Sequence, residues 1–322
     1  MLILNQKDLM NAVTRNEIVD SVEQAVLMYE RGDFHMPDRT QVDYKDNTLL
    51  LMPCFTKKSM GTKLVSLYPE NEKKDIPVLF GVMILNDGES GRTLAVLDGS
   101  ALTALRTGAV GSVSIRHMTS EKVKTLGVVG AGVQGFHQTL TACTQREFKI
   151  IYVYDCFSEK ADRLKTKLSK SLNKVEVIKA KSPGELLSNS EVVITATTSM
   201  EPVLPDEEEL FLGKHIVGIG SYKPNMREFP KALFKNIKTL AVDTKPALIE
   251  SGDLKIPLEK GWIQKDKILT LGKVIMGKSL SDQKGEGITV FKSVGMALFD
   301  LVVSEFIYKK AREKGLGKEV HF

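Results

Sequence analysis

The sequence predicts an α/β protein built on a doubly wound parallel sheet and preceded by a mixed or antiparallel unit. Three observations carry that prediction. The 322-residue chain is 42% hydrophobic, enough for a large buried core and for about two domains at roughly 150 residues each. From about Lys122 onward, short β-branched runs alternate with stretches of helical character, the order expected of parallel strands joined by crossover helices. One of those runs passes straight into a glycine-spaced turn, "GVVGAGVQGFHQ", from Gly127 to Gln138.

Taken in order, the first 120 or so residues contain "TLLLMPCF", "GTKLVSLYP" and "VLFGVMILND", which read as strands separated by turn residues such as "NDGESG". "VKTLGVVG" and "FKIIYVYD" are nearly continuous apolar runs, as in strands buried on both faces of a parallel sheet. Between them "GFHQTLTACTQRE" reads as a helix, and "SEKADRLKTKLSKSL" as a second amphipathic helix with Ser158 as its N-cap. "EVVITATT", "HIVGIGS" and "TLAVDT" continue the strand series. The closing "VFKSVGMALFDLVVSEFIYKKARE" places apolar residues at helical spacing over several turns. It is too long and too apolar for a solitary surface helix, so it is expected to pack on another element or on a partner subunit.

Composition excludes several classes. The 45 Lys and Arg exceed the 40 Asp and Glu by five, and they are spread in ones and twos rather than in a stripe, which argues against a nucleic-acid partner. The lysine-rich end, Lys309 to Lys318, reads as a solvated helix face. Cys54, Cys143 and Cys156 are odd in number, widely separated and at no metal-ligand spacing, so neither a disulfide framework nor a metal is expected, and a cytoplasmic location fits best. The apolar start "MLIL" is too short for a signal segment, and no run reaches the about 18 apolar residues of a membrane helix.

The glycine turn carries the first functional reading. Gly130, Gly132 and Gly135 match G-x-G-x-x-G between a strand and a helix. The first glycine permits the tight turn, the second lets backbone approach a pyrophosphate, and the third lets the helix lie close on the strand. Asp155 follows 20 residues after Gly135, at the end of the next strand, where a carboxylate accepts hydrogen bonds from a ribose 2′-hydroxyl. The sheet is therefore expected to be a Rossmann sheet holding a dinucleotide. Asp155 favours NAD(H), while Lys160 and Arg163 leave NADP(H) open. His35 and His117 stand alone and read as structural residues.

Three cations stand out in the first unit: Arg39 after "MPD", Lys63 inside the strand "GTKLVS", and Arg106 inside the apolar stretch "LTALRTGAV". A cation in an apolar run is costly unless it is paired or presented to a ligand. Spacing alone does not bring the three together.

These segments, "MPDR", "LMP", "GTKLVS", "LAVLDGSALTALRTGAV", "GVVGAGVQG" and "TVFKSVGMALFD", resemble the ornithine cyclodeaminase and mu-crystallin family, in the same order and over almost the whole chain. The resemblance implies a homodimer with an α+β substrate-binding and dimerisation domain, residues 1–118 together with 291–322, around a Rossmann domain of residues 119–290. It implies that Arg39, Lys63 and Arg106 converge on the carboxylate of a small imino or amino acid, with Lys63 and Arg106 at the reacting centre. It places Thr107, Val133, Gln134, Asp155 and Ser293 against the cofactor, with Thr197 and Ser221 bordering the nicotinamide.

Two departures matter. Where cyclodeaminating members carry a water-activating aspartate, this chain has Tyr222, and where they carry a second carboxylate before the "MP" pair, it has Leu50. Without those acids the site resembles the family's imine-reducing members, which act on Δ1-pyrroline-2-carboxylate or Δ1-piperideine-2-carboxylate, and Tyr222 becomes a candidate pocket residue. Ornithine cyclodeaminase, alanine dehydrogenase-type and non-catalytic binding members are the alternatives that the resemblance implies.

Overall fold

In a computed structural model of the protein, which describes residues 1–74, 76–277 and 287–321, the chain divides into two compact units. One comprises Met1–Arg106 and Met296–Phe322, the other Thr107–Gly295.

The first unit opens with β1 (Leu2–Leu4) and two helices, α1 (Gln6–Ala12) and α2 (Arg15–Arg31). Both helices start at capping boxes, Asn5 with Asp8 and Thr14 with Glu17, which satisfy the first free amides. A meander follows: β2 (Thr40–Tyr44), β3 (Asn47–Phe55), β4 (Ser59–Leu67), β5 (Leu79–Asp87) and β6 (Thr93–Asp98). Among the described residues the sheet runs β15-β1-β6-β5-β4-β3-β2, where β15 is Lys318–Glu319. It is antiparallel apart from the β1–β6 pair.

Alternation sets two unlike faces on this sheet. Met52, Cys54, Lys63, Val65, Met83 and Leu85 are buried, and the helix α10 (Ala297–Glu313) packs over β3, β4 and β5 as well as α1 and α2. The opposite face carries Val42, Leu64, Phe80, Val82 and Ile84, all exposed.

The second unit begins within α3 (Gly99–Met118) and continues β7 (Thr125–Val129), α4 (Val133–Ala142), β8 (Ile150–Tyr154), α5 (Ser158–Ser171), β9 (Glu176–Lys179), α6 (Pro183–Ser188), β10 (Val192–Thr195) and β11 (His215–Gly218). β12 (Ile237–Val242), α7 (Ala247–Glu250), α8 (Gly252–Glu259), β13 (Ile268–Thr270), α9 (Leu271–Ile275) and β14 (Ile288–Lys292) complete it. Its strands run β13-β12-β14-β11-β10-β7-β8-β9, with parallel pairing throughout. β7 lies between β8 and β10, so the chain winds outward in both directions from it, and the carboxyl end of β7 is the topological switch point where α/β sheets bind ligands.

Three details differ from the sequence reading. The closing apolar stretch is not one helix, because its first residues form β14 between β11 and β12, and α10 begins only at Ala297 after Gly295 turns the chain at φ +79°. Ser158 is not an N-cap: it is the first residue of α5, and its hydroxyl accepts from Lys179 Nζ at 2.8 Å. The helix after the glycine turn starts at Val133 and ends by Cys143, short of the Arg146 and Glu147 read into it.

Candidate active site

At the carboxyl end of β7 the glycine spacing has visible steric causes. Gly130 sits at φ +103°, and a Cβ there would lie 2.5 Å from the Ala196 carbonyl oxygen. A Cβ on Gly135 would lie 2.0 Å from the Gly130 carbonyl oxygen, which is how closely α4 approaches the turn. Gly132, by contrast, would place a Cβ in open space. It is the N-cap of α4 and supplies no side-chain cap, leaving first-turn amides for an anion. Val133 is exposed beside it, and the Oε1 atom of Gln134 is buried without a hydrogen-bond partner.

Asp155 closes the turn from the next strand. Its Oδ2 accepts from the Ala131 amide at 2.7 Å and its Oδ1 from the Phe157 amide at 2.9 Å. The two amides orient the carboxylate, Cys156 Sγ also lies 3.7 Å from Oδ1, and Oδ2 keeps a lone pair for a hydroxyl donor. This open cradle, helix end and fixed acid fit the pyrophosphate and ribose of a dinucleotide.

Of the remaining cofactor candidates, Thr197, Ser221 and Ser293 follow the carboxyl ends of strands and Thr107 lies within a helix. Thr107 is buried in α3, where its carbonyl accepts from Gln138 Nε2 at 2.7 Å. Thr197 follows β10, and both its amide and its hydroxyl donate to Glu228 Oε1 at 2.7 and 2.9 Å. Ser221 follows β11 with its hydroxyl turned inward, 2.7 Å from both the Met226 carbonyl and Ser251 Oγ. Ser293 donates to Asp243 Oδ2 at 2.6 Å, and the same oxygen accepts from the amides of Val294 and Gly295. Tyr222 is partly exposed, with Lys223 Nζ 5.8 Å from its ring centroid.

In the first unit the fold brings together cations that the sequence left apart. Lys63, on the inner face of β4, and Arg106, in α3, are both buried and both reach Asp300 in the first turn of α10. Lys63 Nζ lies 2.8 Å from Oδ2, and Arg106 Nε lies 3.0 Å from Oδ1. Thr103 Oγ1 accepts from Lys63 Nζ at 3.3 Å. Arg39, half-buried just ahead of β2, is near enough for its charge to act on Lys63. Lys63 and Arg106 share the one carboxylate of Asp300, which leaves 2 − 1 = +1 charge at this buried pair, a field that favours an anionic ligand.

Burial, then the charges of Arg106 and Arg39, push the Lys63 ammonium down to about 8 against the opposing pull of Asp300. The cation is the form present below that value, so affinity for an anionic substrate should hold steady below pH 8 and weaken as pH rises through it. A pH profile of 1/KM checks this, and Lys63→Met should abolish the inflection.

The sequence model of the "Ornithine cyclodeaminase/mu-crystallin family" matches residues 1–315. The chain belongs to this family. A Δ1-pyrroline-2-carboxylate reductase of Bacillus cereus is 31% identical over 328 residues, covering all of both chains. The solved structure of Thermococcus litoralis Δ1-pyrroline-2-carboxylate reductase in complex with NADH and L-proline is 34% identical, with a TM-score of 0.93 over 99% of this chain and 100% of that one. An archaeal alanine dehydrogenase dimer with bound NAD is 27% identical, with a TM-score of 0.91 over 100% and 99%. For this member of the ornithine cyclodeaminase/mu-crystallin family, the two-unit α/β architecture with a Rossmann sheet is thus shared across the whole chain.

Sequence reasoning missed the charged residues Asp300, Glu228 and Lys292, of which the last is buried beside Glu228. Asp300 and Lys292 carried a usable signal, a charge inside an apolar run ("ALFDLVV", "ITVFKSV"), the same signal that marked Lys63 and Arg106. Glu228 lies in the polar loop "NMREFP", where an acid looks ordinary.

Proposed function

We propose that the protein reduces a small cyclic imino acid, Δ1-pyrroline-2-carboxylate or Δ1-piperideine-2-carboxylate, to L-proline or L-pipecolate, with NADH preferred over NADPH. The chain is an NAD(P)-dependent oxidoreductase acting on C=N and CH–NH bonds. The observation that carries the reading is that Lys63 and Arg106 meet on the carboxylate of Asp300, with Arg39 near enough for its charge to act on Lys63. Beside this clamp, Leu50 shares the inner face of β3 and β4 with Lys63 through the Leu50–Val65 and Met52–Lys63 register, and its side chain cannot take a proton.

In this reading arginine forks the substrate carboxylate and lysine adds a compact point charge. Asp300 engages the Nε edge of Arg106, which leaves the terminal guanidinium nitrogens as donors for a ligand. Lys63 and Arg106 are the catalytic residues in the sense that they hold the imine carbon in place. Tyr222 shapes the pocket. Gly130, Gly132, Val133, Gln134 and Gly135 take the pyrophosphate, and Asp155 takes the ribose hydroxyl. Thr107 and Ser293 lie against the cofactor, and Thr197 and Ser221 border its nicotinamide, Ser221 through its backbone because its hydroxyl is engaged. The cofactor, when bound, supplies a hydride. A protonated C=N is already electrophilic, so the chain needs to bind, orient and dry the substrate, not to activate water. The absence of an acid at Leu50 and Tyr222 argues against deamination for the same reason.

Alanine formation is the second reading, because the alanine dehydrogenase relative matches over nearly the full length. Initial rates with Δ1-pyrroline-2-carboxylate against pyruvate plus ammonium, both with NADH, separate the two. The imine reading requires the higher kcat/KM on the cyclic imine, and faster alanine formation contradicts it.

A homodimer fits the exposed face of the first unit's sheet. Leu64 pairs with Val82 and Thr62 with Ile84 in register, so the exposed Val42, Leu64, Phe80, Val82 and Ile84 form one apolar row, of the kind that marks an interaction surface. The wild-type chain should sediment as a dimer, and Val82→Asp should give a monomer by light scattering with its fold retained.

A further inference from the structure

The carboxylate of Glu228 is fully buried, with relative exposure 0%, and is bonded to the two loops proposed to border the nicotinamide. Its Oε1 accepts from the amide and the hydroxyl of Thr197, and its Oε2 from the amides of Gly220 at 2.7 Å and Ser221 at 3.2 Å. β10 and β11 pair in register through Thr195 and Gly218, and Ile219 N donates to Thr195 O at 2.9 Å at the end of the ladder. Glu228 therefore takes over where the ladder stops, tying the two diverging loops to one side chain. Three of its four partners are backbone N–H groups, which only donate, and the Thr197 hydroxyl donates to it as well. Burial pushes the Glu228 carboxyl up, Lys292 and the Thr197 donors pull it down, and a proton on either oxygen would set a donor against a donor.

The surroundings are built to hold it. A Cβ on Gly220 would lie 2.5 Å from Glu228 Oε1 and 2.0 Å from the Thr197 carbonyl oxygen, and a Cβ on Gly218 would lie 2.3 Å from the Phe229 ring. Asp253 Oδ1 accepts from the amides of Glu228 and Phe229 at 2.6 and 2.8 Å, fixing the backbone that carries the acid. Lys292, itself fully buried, lies 3.0 Å from Asp253 Oδ2 and 3.9 Å from Glu228 Oε2, and supplies the counter-charge. A buried charge is retained only where pairing and hydrogen bonds offset its desolvation.

We propose that Glu228, supported by Lys292 and Asp253, is the positioning residue that holds the Thr197 and Gly220–Ser221 loops in the arrangement that receives the nicotinamide end of the cofactor. It acts through those loops and touches neither substrate nor cofactor. The inference rests on the cofactor placement proposed above, and it concerns a cluster with no part in the carboxylate clamp.

The test is Glu228→Gln, a near-isosteric change that puts an NH₂ group against donors. Two readouts do not depend on turnover: NADH affinity by calorimetry, and amide hydrogen exchange of the cofactor-free protein. Loss of the charged acceptor should raise the Kd for NADH about tenfold or more, and exchange should accelerate in segments 196–199 and 219–222 while β7 and β8 keep wild-type protection. KM for the imino acid should change little. A merely structural role predicts a lower folded fraction or faster exchange throughout the sheet, with unchanged NADH affinity in what remains folded. That result overturns the proposal. If Glu228→Gln does not fold, Thr197→Val removes only one of the four donors. It should raise the Kd about threefold with faster exchange in both loops, and unchanged affinity and exchange would overturn the proposal equally. Failure of the unchanged protein to bind NADH would instead bring down the cofactor placement, while loop exchange in Glu228→Gln would still show whether this acid pins the two loops.

Discussion

Arg106→Ala should lower kcat/KM for the imino acid by about 10²-fold or more, since two charge-assisted hydrogen bonds to a buried carboxylate contribute roughly 1.5–3 kcal/mol each. NADH affinity should stay close to wild type, because the loss falls on the substrate. The same change leaves Asp300 with Lys63 alone, and breaking one side of a buried ion cluster costs about 3–5 kcal/mol of stability. Arg106→Lys separates the two effects: it keeps a cation beside Asp300 but lacks the planar fork. It should recover most of the stability and little of the substrate affinity. Steady-state kinetics and thermal denaturation on both variants check this, and an Arg106→Ala protein with unchanged KM for the imino acid would remove Arg106 from the clamp.

Gly135→Ala should damage cofactor binding at least as severely. Its Cβ would meet the Gly130 carbonyl oxygen at 2.0 Å, and neither partner is a flexible side chain, so α4 must move off the turn. Overpacking of this kind costs about 1–3 kcal/mol, and the displaced helix end no longer presents its amides to an anion. Gly132→Ala makes the contrast, because its Cβ meets nothing. Stability should be nearly unchanged there, yet NADH should bind more weakly, since that open space is the proposed seat of the pyrophosphate. Calorimetric titration of both variants with NADH, alongside denaturant unfolding, distinguishes strain from occlusion.

What could be read from the sequence follows how local each signal is. The strands of the Rossmann sheet were legible because burial on both faces makes their apolar runs continuous, and the glycine turn was legible because its steric demands fall within six residues, Gly130 to Gly135. β14 was not, because "ITVFK" runs through "SVG" into an equally apolar helix, and neither period is visible across the join. Lys63 and Arg106 could be marked as anomalous cations one at a time. Their common partner Asp300 lies 194 residues beyond Arg106, a distance at which only the fold states the pairing. Glu228 was illegible for a different reason: its partners are mostly backbone amides, which leave no trace in residue identity.

Imine reduction without deamination is tested by running both reactions on the purified wild-type protein. Absorbance of the reduced nicotinamide is followed with Δ1-pyrroline-2-carboxylate and NADH, then NADPH, while L-ornithine with NAD is assayed for ammonia and proline. The proposed clamp of Arg39, Lys63 and Arg106, with Leu50 and Tyr222 where acids would be needed, predicts rapid NADH oxidation by the imine and no ammonia from ornithine. Ammonia and proline from ornithine would contradict it, and would mean that some other group of this chain activates the water.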